Sequence, residues 1–451
     1  MARPRGMAGF TVVWAGQVVS MLGTAMAQFG LMFWVWNATH SATPMAILAF
    51  CQFFPAIIMT PIAGSLVDRW DRKRTMMISD LVAGSGSVMA LLLFSSGSLA
   101  IWQLYAIGIF TGMFGAFQWP AYSAAISTMV EKKHYARADG MMGMAEAVSG
   151  IAGAPIAAFL LIAFGNDAGL QWILVADILT FTFAIGMLLL VHIPQPPPAK
   201  DLQEGRAGVF KDALYGFRYI WARKPLLYLQ LSFLVVNFLA GPAMVLLNPM
   251  ILAKTGSDKA VLGTVQAFFG VGGLIGSIAL AAWGGPKRKI LALLVGDFIA
   301  GMCICIGFGI GRNVYVWAAS AFLVMLTLPI SNGASQAIWQ SKVEPNRQGR
   351  VFAARRLIAQ FSSAVTMVIS GPLADQFFEP GMQANGTLAG TFGWLVGTGP
   401  GAGMALFLVF SGLAAALAVP IFYLMPKVRN VERLVPDWKE EKNPPENAAN
   451  Q

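Results

Sequence analysis

Long apolar runs, separated by short polar or glycine-proline breaks, recur along the chain from Phe10 to Met425. Each approaches or exceeds the roughly 20 apolar residues that a helix needs to cross a bilayer. The pattern predicts twelve spans, at 10–36, 44–66, 76–98, 101–125, 140–164, 171–193, 226–252, 261–283, 289–310, 314–340, 352–374 and 402–425. The first run is longer than the apolar core of a removable signal and lacks a small-residue cleavage site. Residues 1–5 therefore read as a short cytoplasmic tail.

Composition agrees: 57% of residues are hydrophobic and 12% charged, against about 25% charged in a soluble domain. Placement of the charges tests the helix count, because Lys and Arg collect in cytoplasmic loops. With both termini cytoplasmic, every Lys and Arg falls on that side except Lys254, Lys259 and Arg312. A wrong count would scramble this order. Topology and anionic inner-leaflet lipid thus account for the net charge of +10, and no nucleic-acid partner is implied. Cys51, Cys303 and Cys305 lie within spans without metal-ligand spacing, as small packing residues.

The two halves of the chain resemble each other at an offset of about 212–217 residues. Asp80 in "ISDLVAG" matches Asp297 in "VGDFIAG", Arg72-Lys73-Arg74 match Lys287-Arg288-Lys289, and Pro155 matches Pro372. An all-α integral membrane fold of two six-helix pseudo-repeats follows. The domains are 1–193 and 226–425, a cytoplasmic connection at 194–225, and a polar tail at 426–451 that its prolines mark as disordered. In the connection, "PQPPPAK" precedes an amphipathic helix with Val209, Phe210, Ala213, Leu214, Phe217, Ile220 and Trp221 on one face. That helix lies along the lipid interface or packs on the protein.

The stretch "GSLVDRWDRKR" at 64–74 concentrates charge between two spans. Gly64, Leu66, Asp68, Arg69, Arg72 and Lys73 fit the loop signature of the major facilitator superfamily, with Asp71 standing where the family has a second glycine. The "DRWDRKR" variant, "WAGQVVSMLG" from Trp14 and "GRVF" from Gly349 resemble the macrolide-efflux-like and siderophore-exporter-like members. The resemblance, covering about 10–425, implies the major facilitator fold in a bacterial inner membrane. It also implies a cytoplasmic latch that forms when the cavity opens outward, drawn from Gly64, Asp68, Arg69, Arg72, Lys73, Asp80, Arg350, Arg355 and Arg356. Helices 1, 4, 7 and 10 would line the cavity, making Gln28, Phe114, Gln118, Asn237 and Met325 candidate substrate contacts.

Ionisable residues inside spans are costly and point to function; here they are Asp80, Glu146, Asp177, Asp297 and Asp375. Asp177 and Glu146, with no Lys or Arg in their own spans, are candidate proton-coupling acids, the alternative being a side chain hydrogen-bonded to a neighbouring helix. Asp375 sits at an outer helix end, where solvation suffices. No Arg or Lys lies deep in a span to clamp an anionic metabolite, whereas Met, Phe, Trp and scattered amides suit amphipathic molecules. "GVGGLIG" at 270–276 is a helix-packing surface, and "GTGPGAG" lacks the lysine of a phosphate loop. Residues 375–401 form a long outer loop, a lid or a mobile insertion.

The expectation is a monomeric proton antiporter that exports an amphipathic small molecule such as a macrolide-like antibiotic, siderophore or peptide product. It is not an enzyme and takes no cofactor, with the proton gradient as its energy source. Proton-coupled nutrient uptake and a transport-inactive sensor or scaffold stand as alternatives.

Overall fold

The computed structural model describes residues 6–67, 71–131, 134–193 and 209–438, and every regular element among them is helical. The first half comprises α1 (Gly6–Thr39), α2 (Ala42–Val67), α3 (Arg72–Ser95), α4 (Ile101–Met129), α5 (Tyr135–Ala163) and α6 (Asn166–Leu190). After the connection helix α7 (Val209–Ala222), the second half opens with α8 (Lys224–Lys254), α9 (Lys259–Trp283) and α10 (Lys289–Met302), the last continued by a π-turn, Cys303–Ile310. It goes on through α11 (Val314–Lys342), α12 (Pro345–Leu373), a second π-turn (Ala374–Phe378), α13 (Glu379–Gly381), α14 (Ala389–Val396) and α15 (Ala402–Leu424). Two short helices, α16 (Pro426–Arg429) and α17 (Val431–Leu434), follow.

Eleven of the described helices are long and apolar enough to cross a membrane. The remaining long helix, α4, has 29 residues, about 43 Å of helix, and completes the twelve. Short polar side chains fix several starts: Asp71, Asp258 and Asn313 accept from Arg74 N, Ala260 N and Val316 N respectively, as N-caps do.

The pseudo-repeat is physical as well as sequential. Pairs α1/α6, α2/α4, α1/α5, α3/α4 and α3/α6 pack in the first half, and α8/α15, α9/α11, α8/α12, α10/α11 and α10/α15 pack correspondingly in the second. Across the halves α5 meets α9 and, by the same symmetry, α2 meets α12. Glycine permits the closest of these approaches: a Cβ on Gly272 or Gly276 of α9 would run into the backbone carbonyls of Phe322 and Leu326 in α11. The string "GVGGLIG" is therefore a packing surface.

Three segments outside the spans depart from or refine expectation. Residues 426–438 are ordered rather than disordered: Val428 and Val431 are fully buried, Lys342 Nζ donates to Glu432 O and Asp437 Oδ1, each at 2.7 Å, and Trp438 N bonds Ser341 O. A valine every third or fourth residue supplies the apolar stripe that composition averaging hid. Helix α7 divides its faces, with Tyr219 and Ile220 buried against α12 and Trp221 exposed. The long loop after α12 folds around Glu379, which accepts from Gly401 N and Met404 N at the start of α15. The cations Lys254 and Arg312, exceptions to the charge rule, donate to carbonyls at the C-terminal end of α14, where the helix dipole favours positive charge.

Candidate functional site

The end bearing the α2–α3 connection and the α16–α17 tail is called the basic end here. At the opposite, far end the two halves are tied together. Asp375, carried on the π-turn that follows Pro372, accepts from Ser41 Oγ and Thr43 Oγ1, both at 2.5 Å, and from the backbone amides of Ala42 (3.0 Å) and Thr43 (2.7 Å). A carboxylate of one half thus caps the first turn of α2 in the other. Gly371, one turn earlier, brings α12 onto α2: a Cβ there would stand 2.8 Å from Thr43 Cα. On the opposite flank Trp36 Nε1 donates to Ser257 Oγ (3.1 Å), and Lys259 donates to Leu161 O (3.1 Å) while lying over the Phe33 ring. Asp375 was expected to need only solvent; it is instead a principal fastening between the halves.

Below this seal a chain of polar contacts crosses the midplane. Gln266 Nε2 of α9 donates to Asn248 Oδ1 of α8 (2.7 Å), and Asn248 Nδ2 approaches Met32 Sδ of α1 (3.2 Å). One turn nearer the basic end on the same faces lie Gln28 in α1, which is exposed, and Met244 in α8, 74% exposed. These positions face the space between the halves. Gln28 was expected there; Met32, Met244, Asn248 and Gln266 were not singled out, although amides one and two turns apart on facing helices were a readable signal. The other cavity candidates fare differently. Phe114 lies between Phe110 and Phe117 along α4 with its ring tilted to both, Asn237 bonds its own helix at Phe233 O, and Met325 is half-buried in α11.

Of the two proposed coupling acids, Asp177 is buried at 3% exposure where α1, α3 and α6 meet. Its Oδ2 accepts from Ser87 Oγ at 2.5 Å and its Oδ1 from Thr24 Oγ1 at 3.2 Å. Gly23 makes room for it, since a Cβ there would stand 3.0 Å from Asp177 Oδ1. Thr24, one turn from Gln28, is exposed on the cavity side of α1, so a single hydroxyl separates the buried carboxylate from the cavity. Glu146 is not in the low-dielectric setting the sequence suggested. It is exposed on the side of α5 that carries Gly143 and Gly150, neither of which faces any atom within 4 Å. Farther along α5, Gly153 meets Ala25 of α1 and Ile151 meets Gly270 of α9, which turns the Glu146 side toward the gap between the halves.

Asp80 lies in a second buried cluster, where Oδ2 accepts from Gln17 Nε2 (2.9 Å) and Oδ1 from Gln118 Nε2 (2.8 Å). Gln118 is thereby engaged within the first half, and Asp80 is met by two amides. The repeat places Gln230 and Asp297 at the points matching Gln17 and Asp80 in the second half, but that network is not reproduced: Gln230 donates to Arg355 O (3.5 Å).

Asp68, Arg69 and the side chains of Arg72 and Arg350 lie outside the described residues, and with them the centre of the expected latch. Gly64 sits in the last turn of α2. Lys73 Nζ donates to Leu189 O and Val191 O at the end of α6. Arg355 donates to Gln336 Oε1 and Ser335 Oγ and stacks over Trp339, while Arg356 is exposed. These contacts of Lys73 and Arg355 stay within their own halves. Asp71, the departure from the family glycine, caps α3.

Twelve spans in two symmetric bundles, fastened together at one end, with amides and a thioether meeting between the halves, make the architecture of a membrane transporter. The family model for the Major Facilitator Superfamily matches residues 13–367, and the chain belongs to that superfamily. Macrolide efflux protein A of Streptococcus pyogenes is 25% identical over 384 residues, spanning 81% of this chain and 89% of that protein. The enterobactin exporter EntS of Shigella flexneri is 24% identical over 295 residues, 64% of this chain and 68% of its own. Among solved structures, a bacterial homologue of the human lysosomal transporter Spinster superposes with a TM-score of 0.68 at 15% identity, covering 97% of this chain and all of the other. A D-xylose–proton symporter superposes with a TM-score of 0.66 at 12% identity, over 93% and 98% of the two chains. The protein is a multi-pass membrane transporter and not an enzyme.

Proposed function

We propose that the chain is a secondary active exporter of amphipathic small molecules, working by proton antiport and seated in a bacterial inner membrane with its basic end cytoplasmic. The Asp177 site carries this reading. A carboxylate in a membrane interior persists only where its charge is stabilised or neutralised by a proton. Here two hydroxyls donate to it and no cation among the described residues pairs with it, so protonation breaks no ion pair. Thr24 links it to the cavity, giving protons a path that depends on which end of the cavity is open. Glu146, already facing the gap between the halves, is the second acid of the relay.

The cavity-facing Gln28, Met32, Met244, Asn248 and Gln266 include no Lys or Arg, which disfavours anionic metabolites and suits large molecules carrying both apolar surface and hydrogen-bonding groups. Relatives named for macrolide and enterobactin export support the outward direction. In the cycle, substrate enters from the cytoplasmic side, the far-end seal opens, and protonation of the acids from outside returns the protein to the described conformation. A latch of Asp68 with the basic start of α12, Arg350, Arg355 and Arg356, would hold the alternate state.

The test is efflux of a preloaded amphipathic dye from proteoliposomes under an imposed pH gradient, with Asp177→Asn and Glu146→Gln beside the unmodified protein. Gradient-driven flux that is lost in Asp177→Asn, with gradient-independent exchange retained, is the expected result. Flux insensitive to the gradient, or a gradient response intact in both variants, would refute proton antiport through these acids.

A further inference from the structure

Two hollows on the outer flank of the second half share a wall. The first, a pocket of about 290 Å³ at the basic end, lies between the start of α10, the end of α15 and the α16–α17 turn, and it is lined by Arg288, Arg429, Arg433, Tyr423 and Glu432. The Glu432 carboxylate is turned toward the backbone amides of Lys289 and Ile290, at 3.4 and 3.3 Å. Arg288, Arg429 and Arg433 have no carboxylate partner among the described residues, so the pocket holds three guanidinium groups against one carboxylate. The second hollow, about 510 Å³, is an apolar trough along α10, walled by Val295, Ile299, Thr327 and Ile330. Arg288 and Leu291 line both.

We propose that this continuous feature binds one phospholipid with an anionic headgroup, its phosphate among Arg288, Arg429 and Arg433 and one acyl chain in the trough beside Val295. Guanidinium groups match phosphate oxygens in geometry and charge. From Arg288 to Ile299 the helix rises about 16 Å, close to the ~15 Å of hydrocarbon in one leaflet. The trough opens sideways, where Leu291 and Val295 are 42% and 47% exposed. A free anion would fill the mouth and leave the trough bare, whereas a phospholipid matches both. Because α17 also holds Lys342 of α11, the lipid would brace the tail, α10 and α15 at the membrane surface.

The test is native mass spectrometry of the full-length protein in detergent, titrated with phosphatidylglycerol or phosphatidylcholine, with inorganic phosphate as competitor. The expected result is one retained phosphatidylglycerol, with phosphatidylcholine much weaker, and affinity about thirtyfold lower in an Arg429→Gln/Arg433→Gln variant, near fivefold per surface charge removed. Val295→Trp fills the trough but leaves the charges, and at an already exposed position it does not threaten folding; it should also weaken phosphatidylglycerol binding without altering the lipid-free melting temperature. Equal binding of the two lipids would overturn the proposal. So would displacement by phosphate together with indifference to Val295→Trp, which would mark a free-anion site. Binding is read without transport, so the outcome is independent of proton coupling.

Discussion

Removing the Asp375 carboxylate should loosen the far end of the transporter by an amount that can be worked from its contacts. The group accepts four hydrogen bonds from α2 and the residue before it, two from backbone amides and two from hydroxyls. Bonds to a charged group contribute about 1.5–3 kcal/mol each when buried, but this site is half-exposed and water replaces part of the loss once the end opens. About 1 kcal/mol for each amide, and about half that for each hydroxyl, gives about 3 kcal/mol in favour of the closed end. Asp375→Ala should therefore raise the ratio of open to closed far ends about 150-fold. Asp375→Asn keeps one acceptor oxygen but loses the charge favoured at a helix N-terminus, and should fall between Ala and the unmodified residue; Ser41→Ala/Thr43→Ala, which spares the amide bonds, should cost about 1 kcal/mol. The assay replaces Cys51, Cys303 and Cys305, introduces a single cysteine at Met244, and measures its labelling by an impermeant maleimide added on the far side. The rate should rise in the order of unmodified protein, Ser41→Ala/Thr43→Ala, Asp375→Asn, Asp375→Ala. A rate unchanged by Asp375→Ala in a protein of unaltered melting temperature would show that these bonds do not hold the seal.

Three further outcomes follow from the same contacts. Gly276→Val places side-chain atoms against the Leu326 carbonyl and should destabilise the α9/α11 pair by about 2 kcal/mol, seen as a lowered melting temperature in detergent. Thr24→Val removes the hydroxyl between Asp177 and the cavity and should lower gradient-driven dye flux about tenfold, for a lost bond of about 1.4 kcal/mol to a charged group, while Thr24→Ser retains it. The hydrogen bond from Lys342 holds the Asp437 carboxyl below the usual carboxylate range. A depressed folded value means the contact stabilises tail docking above about pH 4, the ordinary carboxylate value, and loses that contribution as pH falls through the depressed one; hydrogen exchange at residues 431–438 should rise below that window, and at neutral pH in Asp437→Asn.

The sequence by itself determined the helix count and the internal symmetry. Each rests on a signal summed over many residues: twenty-residue apolar runs, and matched positions such as Asp80 and Asp297. It also marked Asp177 and Gln28, because a polar group in an apolar run stands out one residue at a time. Pairing across the fold was beyond it. Nothing in the order of residues says that Asp375 reaches Thr43, more than three hundred positions away, or that Asp80 is met by both Gln17 and Gln118. Those contacts depend on the rotation and depth of packed helices, set by π-turns, prolines and glycine approaches. Glu146 makes the same point from the other side: its span implied a dry setting, and only the placement of α5 beside the gap between the halves exposes it. The tail after Met425 looked disordered because its average composition is polar, yet Val428, Val431 and Val435 find a surface made by α8, α10 and α11. A single sequence fixes which groups cannot stay in water or in lipid, whereas their partners are chosen only when the helices come together.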